Sequence, residues 1–313
     1  LHSFPTRRSS YLITRLLCMV LLSFLVVTGC SRRDILDDYP VSGVEVRLDW
    51  SGVTEKLPEG VRIIFYPKDE KGRKIDTYLS VTGGEVKVPS GHYAVVIYNY
   101  DTETVLIRGE ESYETIQAYT NFCKLGIAGT EKMVWGPDPL YVVNIDDLDI
   151  QNSEEILILK LKPKLVIRTY SFSIKVQGLS NVSNVIGSIG GMADHYFLGK
   201  AYAMCDDYPI NIDLNVKAGK IEGVFTTFGL PEAIITRLEI KLPVMMNLMI
   251  IKVDNSVQEV KINITEAVQE PTGGGEGGEG EETKPPALVE VEIEDEIKVD
   301  DVETPPSGGE IGR

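Results

Sequence analysis

The sequence has 313 residues and a formal net charge of −16, from 47 acidic and 31 basic side chains. That length suffices for two domains, and the acidic balance excludes nucleic acid as a partner, because its phosphates need basic surfaces. Four cysteines without a CxxC pair and three histidines far from them give no metal-ligand spacing, so no metal and no cofactor is expected.

The first ten residues, LHSFPTRRSS, resemble a translated sequencing-adapter oligonucleotide and are set aside as non-native. Arg15 then precedes LLCMVLLSFLVV (Leu16–Val27), an almost wholly apolar run. About a dozen residues fall short of the roughly twenty that span a bilayer. The run suits the apolar core of a secretory signal behind a basic flank. Its end, Val27-Thr28-Gly29-Cys30, resembles the bacterial lipobox, whose cysteine takes a lipid and becomes the first mature residue. Residues 1–29 are therefore expected to be a signal peptide and Cys30 a lipidation site. A buried helix carrying an incidental cysteine is the competing explanation. Loss of Arg7, Arg8 and Arg15, and of no acid, would move the net charge from −16 to about −19. The expected membrane contact is a tether through the lipid on Cys30 rather than a span.

Residues 30–42 (CSRRDILDDYPVS) read as a polar tether. Strand patterns follow. VEVRLDW (Val44–Trp50) alternates apolar and polar residues with period two. VRIIFYP (Val61–Pro67) is β-branched and aromatic, and GEVKVPSGHYAVVIYNYD (Gly84–Asp101) is two strands around a Pro-Ser-Gly turn. VLIRG and TIQAYT add edge strands, and the acidic NIDDLDIQNSEE (Asn144–Glu155) reads as a connector.

ILILKLK (Ile156–Lys162) reopens the strand signal. In KLVIRTYSFSIKV (Lys164–Val176) the apolar set shifts from odd to even positions near Arg168–Thr169. Such a slip would turn the buried face outward unless a bulge absorbs it, so a bulge is predicted there. Ser180–Asp194 is small, polar and Gly-rich, and reads as a loop with one helical turn. Strands are expected again in Asn211–Lys217, Gly223–Leu230, Ile235–Leu242, Val244–Val253 and Glu259–Ile264. Many short strands separated by turn residues, with no long amphipathic helix, point to β-sandwiches.

The predicted organisation is all-β. A first sandwich with its connector covers 43–155 and a second covers 156–266, followed by an acidic tail at 267–313. From Glu266 onward, fifteen acids stand against Lys284, Lys298 and Arg313. TGGGEGGEGEETKPP (Thr272–Pro286) cannot bury enough apolar surface to order itself, so the tail is expected to be disordered. Within it ALVEVEIEDEIKV (Ala287–Val299) keeps an alternating apolar face, and a tethered strand seeking a sheet edge is the second reading.

No constellation for chemistry stands out. His92 sits in a tight hairpin, and His195 follows Asp194 in a loop without a GxSxG elbow. The acids Asp146, Asp147 and Asp149 lack the glycine and terminal glutamate of a calcium loop. The chain is therefore expected not to be an enzyme. Trp50, Trp135, Tyr98 and Tyr100 could stack on sugar, although one buried tryptophan per sandwich is the simpler expectation. After export Cys123 and Cys205 are left, and a disulfide between them and two buried thiols remain equal alternatives.

VRLDW, LPEGVRIIFYP, VKVPSGHYAVVIYNYD, KLKPKLVIRTYSFSIKV and GSIGGMAD, in this order behind Cys30, resemble a family of Bacteroidales lipoproteins. That family is similar in layout to the fimbrial anchor (fimbrillin-associated) lipoproteins. The resemblance covers about residues 30–265 and implies a tandem pair of transthyretin-like sandwiches, outer-membrane attachment at the cell surface, and a fimbrial subunit as partner. Only Cys30 carries over as a functional position. A fimbrial anchor or accessory subunit acting through strand pairing is thus the first expectation. A surface protein that binds glycans or peptides is the alternative.

Overall fold

The computed structural model describes residues 41–54, 56–69, 72–123, 132–206, 208–217, 219–231, 243–268, 289–293 and 296–300. The signal segment, Cys30 and most of the tether lie outside them, as does the strand expected at Ile235–Leu242.

In the first half the strands are β1 (Val41–Leu48), β2 (Gly60–Pro67), β3 (Ile75–Ser80), β4 (Gly83–Pro89), β5 (Gly91–Asn99), β6 (Val105–Arg108), β7 (Gln117–Thr120), β8 (Phe122–Cys123), β9 (Met133–Val134) and β10 (Tyr141–Ile150). There follow β11 (Leu157–Leu161), β12 (Lys164–Leu165), β13 (Arg168–Gln177), a single 3-10 turn (Leu179–Asn181), β14 (Val182–Gly190), β15 (His195–Phe197) and β16 (Tyr202–Met204). The last group is β17 (Ile210–Lys217), β18 (Lys220–Thr227), β19 (Met245–Lys252), β20 (Val257–Asn263), the short helix α1 (Thr265–Val268), β21 (Val289–Glu292) and β22 (Ile297–Lys298). The expected all-β class is what the structure shows.

The first sheet has the order β11-β1-β4-β3-β2-β5-β10-β12. β3 and β4 meet only where Ser80 faces Gly83, so the sheet folds into two layers at that corner. Period-two patterning fills the space between the layers. Val44, Val46 and Leu48 of β1 with Val86 and Val88 of β4 pack against Val61, Ile63 and Phe65 of β2 and Tyr93, Val95 and Ile97 of β5. The opposite faces of β2 and β5 are buried too, through Ile64, Tyr66, Ala94, Val96 and Tyr98. Burial on both faces explains why HYAVVIYNY reads as a continuous apolar run.

What covers that outer face is a four-stranded sheet, β16-β15-β7-β6. It draws two strands from each expected half: His195–Phe197 of β15 pair with Tyr119–Gln117 of β7. The first half also sends β9 to the second sheet, where Val134 pairs with Ile210. The halves are therefore stitched together rather than merely linked.

The second sheet runs β20-β19-β14-β17-β18-β13-β21, with β22 also on β13. Its corner lies in β17, whose Ile210–Ile212 pair with β14 while Asp213–Lys217 pair with β18. Tyr170, Phe172, Ile174 and Val176 of β13 point into a core shared with Met246, Leu248 and Ile250 of β19.

Five expectations are corrected. The acidic "connector" is largely the strand β10, and the bulge lies there, between Ile145 and Leu148, rather than at Arg168–Thr169. β13 runs in unbroken register with β18 from Arg168 to Lys175. The phase slip instead marks a change of sheet: Lys164–Leu165 pair with β10 in the first, and Arg168 starts the second. β11 belongs to the first sheet, parallel to β1, so the chain leaves that sheet after Leu165 and not at Glu155.

Ser180–Asp194 is mostly the strand β14, not a loop. Its glycine has a packing reason: a Cβ on Gly187 would stand 2.9 Å from Leu214 and 3.1 Å from both Ile212 and Leu248, which fill the space above the strand. Finally, inside the segment expected to be a disordered tail, β21 and β22 are strands paired with β13. For these residues the second reading, a strand on a sheet edge, is what the structure adopts. Other tail residues beyond Val268 are not described, save Ile293, Glu296 and Val299–Asp300 beside these strands.

Candidate partner-binding edge

β13 would be an edge strand without the C-terminal segment. Val289–Glu292 add to it in parallel, in register with Tyr170–Ser173, and Ile297–Lys298 with Val176–Gln177. Four residues separate Glu292 from Ile297, against two between their partners Ser173 and Val176 on β13. Alternation sorts its side chains: Val291, Ile297 and Val299 are buried in the second core, while Glu290 and Lys298 face solvent. This C-terminal strap thus supplies both backbone pairing and core side chains.

The strap also spans to the other end of the sheet. Gln258 on β20 donates from Nε2 to the Lys298 carbonyl at 2.8 Å and accepts at Oε1 from the Asp300 amide at 3.1 Å. Lys252, almost buried, lies 3.7 Å from the Asp300 carboxylate. β20, at one end of the sheet, and β22, on β13 at the other, are therefore joined through one side-chain amide. Val299 closes the end by donating its N–H to the Gln177 carbonyl at 3.0 Å.

The positions singled out in the sequence fall elsewhere. Cys30 is outside the described residues. Cys123 ends β8 and Cys205 follows β16, both half-buried. Near them the Phe122 ring lies 5.0 Å from that of Tyr208. Trp50 is half-buried, donating Nε1–H to the Val81 carbonyl at 2.7 Å and meeting Tyr141 edge-on, and Trp135 is half-buried as well. Tyr98 is buried and cannot stack on sugar, whereas Tyr100 is exposed.

The three acids of β10 do not converge. The bulge sends Asp146 to accept the Tyr113 hydroxyl at 2.7 Å, Asp147 to Lys68 at 3.0 Å and Asp149 toward His92 at 3.7 Å. The Lys68 ammonium holds the Asp147 carboxyl below its usual range.

His195 is not in a loop but on β15, buried, with Nδ1 2.6 Å from Asp194 Oδ1 and 3.9 Å from Asp206 Oδ2. These three residues bring ligand-type atoms within 4.8 Å of one another. The sequence hinted at this only through the Asp194-His195 dipeptide, because Asp206 arrives by the β15–β16 hairpin. Asp194 Oδ2 accepts the backbone N–H groups of Asp206 and Tyr208, at 2.9 and 3.4 Å, and Arg108 sits 3.7 Å from Asp206. Asp194 thereby ties down the turn after β16.

The geometry defines an all-β protein of two stitched sandwiches, the second closed by its own C-terminal strap. The chain belongs to the family described as "Domain of unknown function (DUF5119)", whose model matches residues 29–213. A Bacteroides ovatus protein provisionally named as a fimbrium anchoring subunit, Fim4B, is 51% identical over 308 residues, covering 94% of this chain and 92% of its own. The crystal structure of a provisionally assigned adhesin from Bacteroides ovatus is similar at 49% identity and a TM-score of 0.74, over 88% of this chain and 99% of that one. A Bacteroides thetaiotaomicron structure assigned to polysaccharide binding shares the fold alone, at 12% identity and a TM-score of 0.50, over 80% and 89% of the two chains.

Proposed function

We propose that this protein is a non-enzymatic fimbrial anchor or accessory subunit, held at the outer membrane by a lipid on Cys30 and joined to its polymer by β-strand pairing. Likeness to the Bacteroides ovatus anchoring subunit over nearly the whole of both chains supports the class. The pairing mechanism rests on one observation: β13 takes a parallel strand from a segment far along the chain. An edge that pairs with one alternating apolar strand has the backbone groups to pair with another that takes its place.

The lipobox-like end of the signal segment supports attachment through Cys30 and, with it, a location in the cell envelope. The same compartment permits a Cys123–Cys205 disulfide. Uptake of two alkyl labels by the unreduced, unfolded mature protein would rule that bridge out.

The test of the whole reading is a mild-detergent pull-down of the lipidated protein from its own cells. A copurifying ladder of polymerised subunits that survives high salt is the expected result. Recovery of the lipoprotein alone, or with a nutrient transporter, would end the anchor reading. For the lipid, a Cys30→Ala form should lose fatty-acid label and leave the membrane fraction, and retention of both would sink that part.

A further inference from the structure

The outer face of β3 is left uncovered by the four-stranded sheet. Its alternation turns Ile75 and Leu79 into the first core and presents Asp76, Tyr78 and Ser80 to solvent. Tyr78 is 61% exposed and Tyr100, just past β5, is 45% exposed, their rings edge-to-face at 5.2 Å. Leaving two such rings in water is costly, since burial of apolar area gains roughly 25 cal/mol per Å².

Both rings are held in place by their neighbours. Tyr100 lies over Gly60, where a Cβ would come within 2.8 Å of its hydroxyl. Tyr78 has the Arg62 guanidinium 5.8 Å from its ring centre, and that guanidinium is fixed by Asp76 and Glu110. Asp76 and Glu110 stay partly exposed, at 27% and 31%, so their remaining lone pairs are open to hydroxyl donors.

Lys74, two residues before Asp76, also lines an open cleft of about 540 Å³ together with Tyr66, Tyr113, Asp146 and Lys200. Lys74 donates to the Glu110 carbonyl at 3.0 Å, which leads the β3 face directly into that cleft. The volume is within the ordinary range for a small-ligand site.

We propose that this face binds a neutral oligosaccharide. The C–H face of one sugar ring would stack on Tyr78 and Tyr100, its hydroxyls would donate to Asp76 and Glu110, and further sugars would run past Lys74 into the cleft. Charge selects the class. Arg62 and Lys74 are balanced by Asp76 and Glu110, which suits an uncharged ligand and gives phosphate or sulfate no excess of cations. A protein partner needs about 800 Å² with an apolar centre. Two tyrosines flanked by Asp76 and Ser80 do not supply that.

The test is binding of the full-length protein to an array of neutral hexose and pentose oligosaccharides of one to six units. Retained compounds are then titrated against variants. We expect retention that strengthens from mono- to trisaccharides and falls at least tenfold in Tyr78→Ala and in Tyr100→Ala. The exposed ring pair Phe122–Tyr208, which is similarly edge-to-face, is the control, and Tyr208→Ala should leave binding unchanged. The proposal is overturned if the wild type retains no neutral glycan, or if either β3-face variant binds as well as the wild type. It is equally overturned if Tyr208→Ala weakens binding as much, or if these tyrosines prove to hold a protein instead. Failure here leaves the anchor reading intact, since that reading rests on the strap and not on this face.

Discussion

Arg62 and Glu110, 48 residues apart in the chain, form a two-point ion pair: Nη1 and Nη2 donate to the two Glu110 oxygens at 2.7 and 3.0 Å. The other edge of the same guanidinium holds Asp76, at 2.9 and 2.6 Å, and Nη1 also reaches the Tyr98 hydroxyl at 2.7 Å. These partners raise the already high pKa of Arg62. Arg62 stands on β2 of the first sandwich, and Glu110 in the turn between β6 and β7 of the four-stranded sheet. The pair therefore clips that sheet onto the outer face it covers, helped by Tyr66 and Lys74, which both donate to the Glu110 carbonyl.

Removing the arginine leaves two carboxylates facing each other without their cation. Arg62→Met should cost about 2–4 kcal/mol of stability, toward the lower part of the range for a broken buried pair because the site is partly wet. Arg62→Lys should recover less than half, since one ammonium cannot grip two carboxylates bidentately. The double variant Arg62→Met with Glu110→Gln should cost less than the sum of the singles. Urea unfolding of the four proteins decides it, and additive losses would show that the clip is not cooperative.

The strap gives a second prediction. Val291 is buried in the second core and Glu290 is exposed, one residue away. Val291→Asp should destabilise by about 3 kcal/mol, because a carboxylate would lose water without gaining a partner, whereas Glu290→Gln should be near neutral. Deleting the chain from Ala287 should open the second core and change attachment to the polymer. Unchanged attachment would remove the strap from the mechanism while leaving its stabilising role.

Much of this architecture was legible in the sequence. Residues such as Val44, Val46 and Leu48 announce their buried face by period two alone. The errors have common causes. Gly187 and Ser188 look like loop residues because small side chains usually mark turns. Here Gly187 leaves room for Leu214 and Leu248 to cross the strand. The acids of β10 suggested a connector, yet a bulge parcels them out to Tyr113, Lys68 and His92. The slip near Arg168 pointed to a bulge but marks a change of sheet, because no local pattern distinguishes the two. The Arg62 clip and the His195 pair with Asp206 were invisible because their partners come from distant turns.

Gly223 tests the packing of β18 on β13. It pairs with Phe172, and a Cβ there would stand 2.4 and 2.6 Å from two atoms of that ring. Phe172 is buried in the second core, so the ring cannot swing away freely. Gly223→Ala should cost about 1–3 kcal/mol through overpacking. Adding Phe172→Leu should recover part of that loss, although the same substitution alone destabilises. A melting temperature for Gly223→Ala equal to that of the wild type would mean the ring is free to move.

The alkaline limit of stability follows from three tyrosines under the four-stranded sheet. Burial raises the pKa of Tyr66, Tyr98 and Tyr113, and for Tyr113 the hydrogen bond it donates to Asp146 raises it further. Their folded values lie above the unfolded value of about 10. The folded state therefore binds more protons in that range, and the sign of the linkage is set. The contribution is fully present below about pH 10 and is lost as pH rises through the folded values. The phenolate absorbance of the native protein should lag behind that of the denatured chain, and its final rise should coincide with unfolding. Tyr98→Phe should make the loss of stability above pH 10 less steep, because one buried phenol would no longer have to ionise. Superimposable titrations of native and denatured protein would show that these hydroxyls reach water, and with it that the four-stranded sheet does not seal the face it covers.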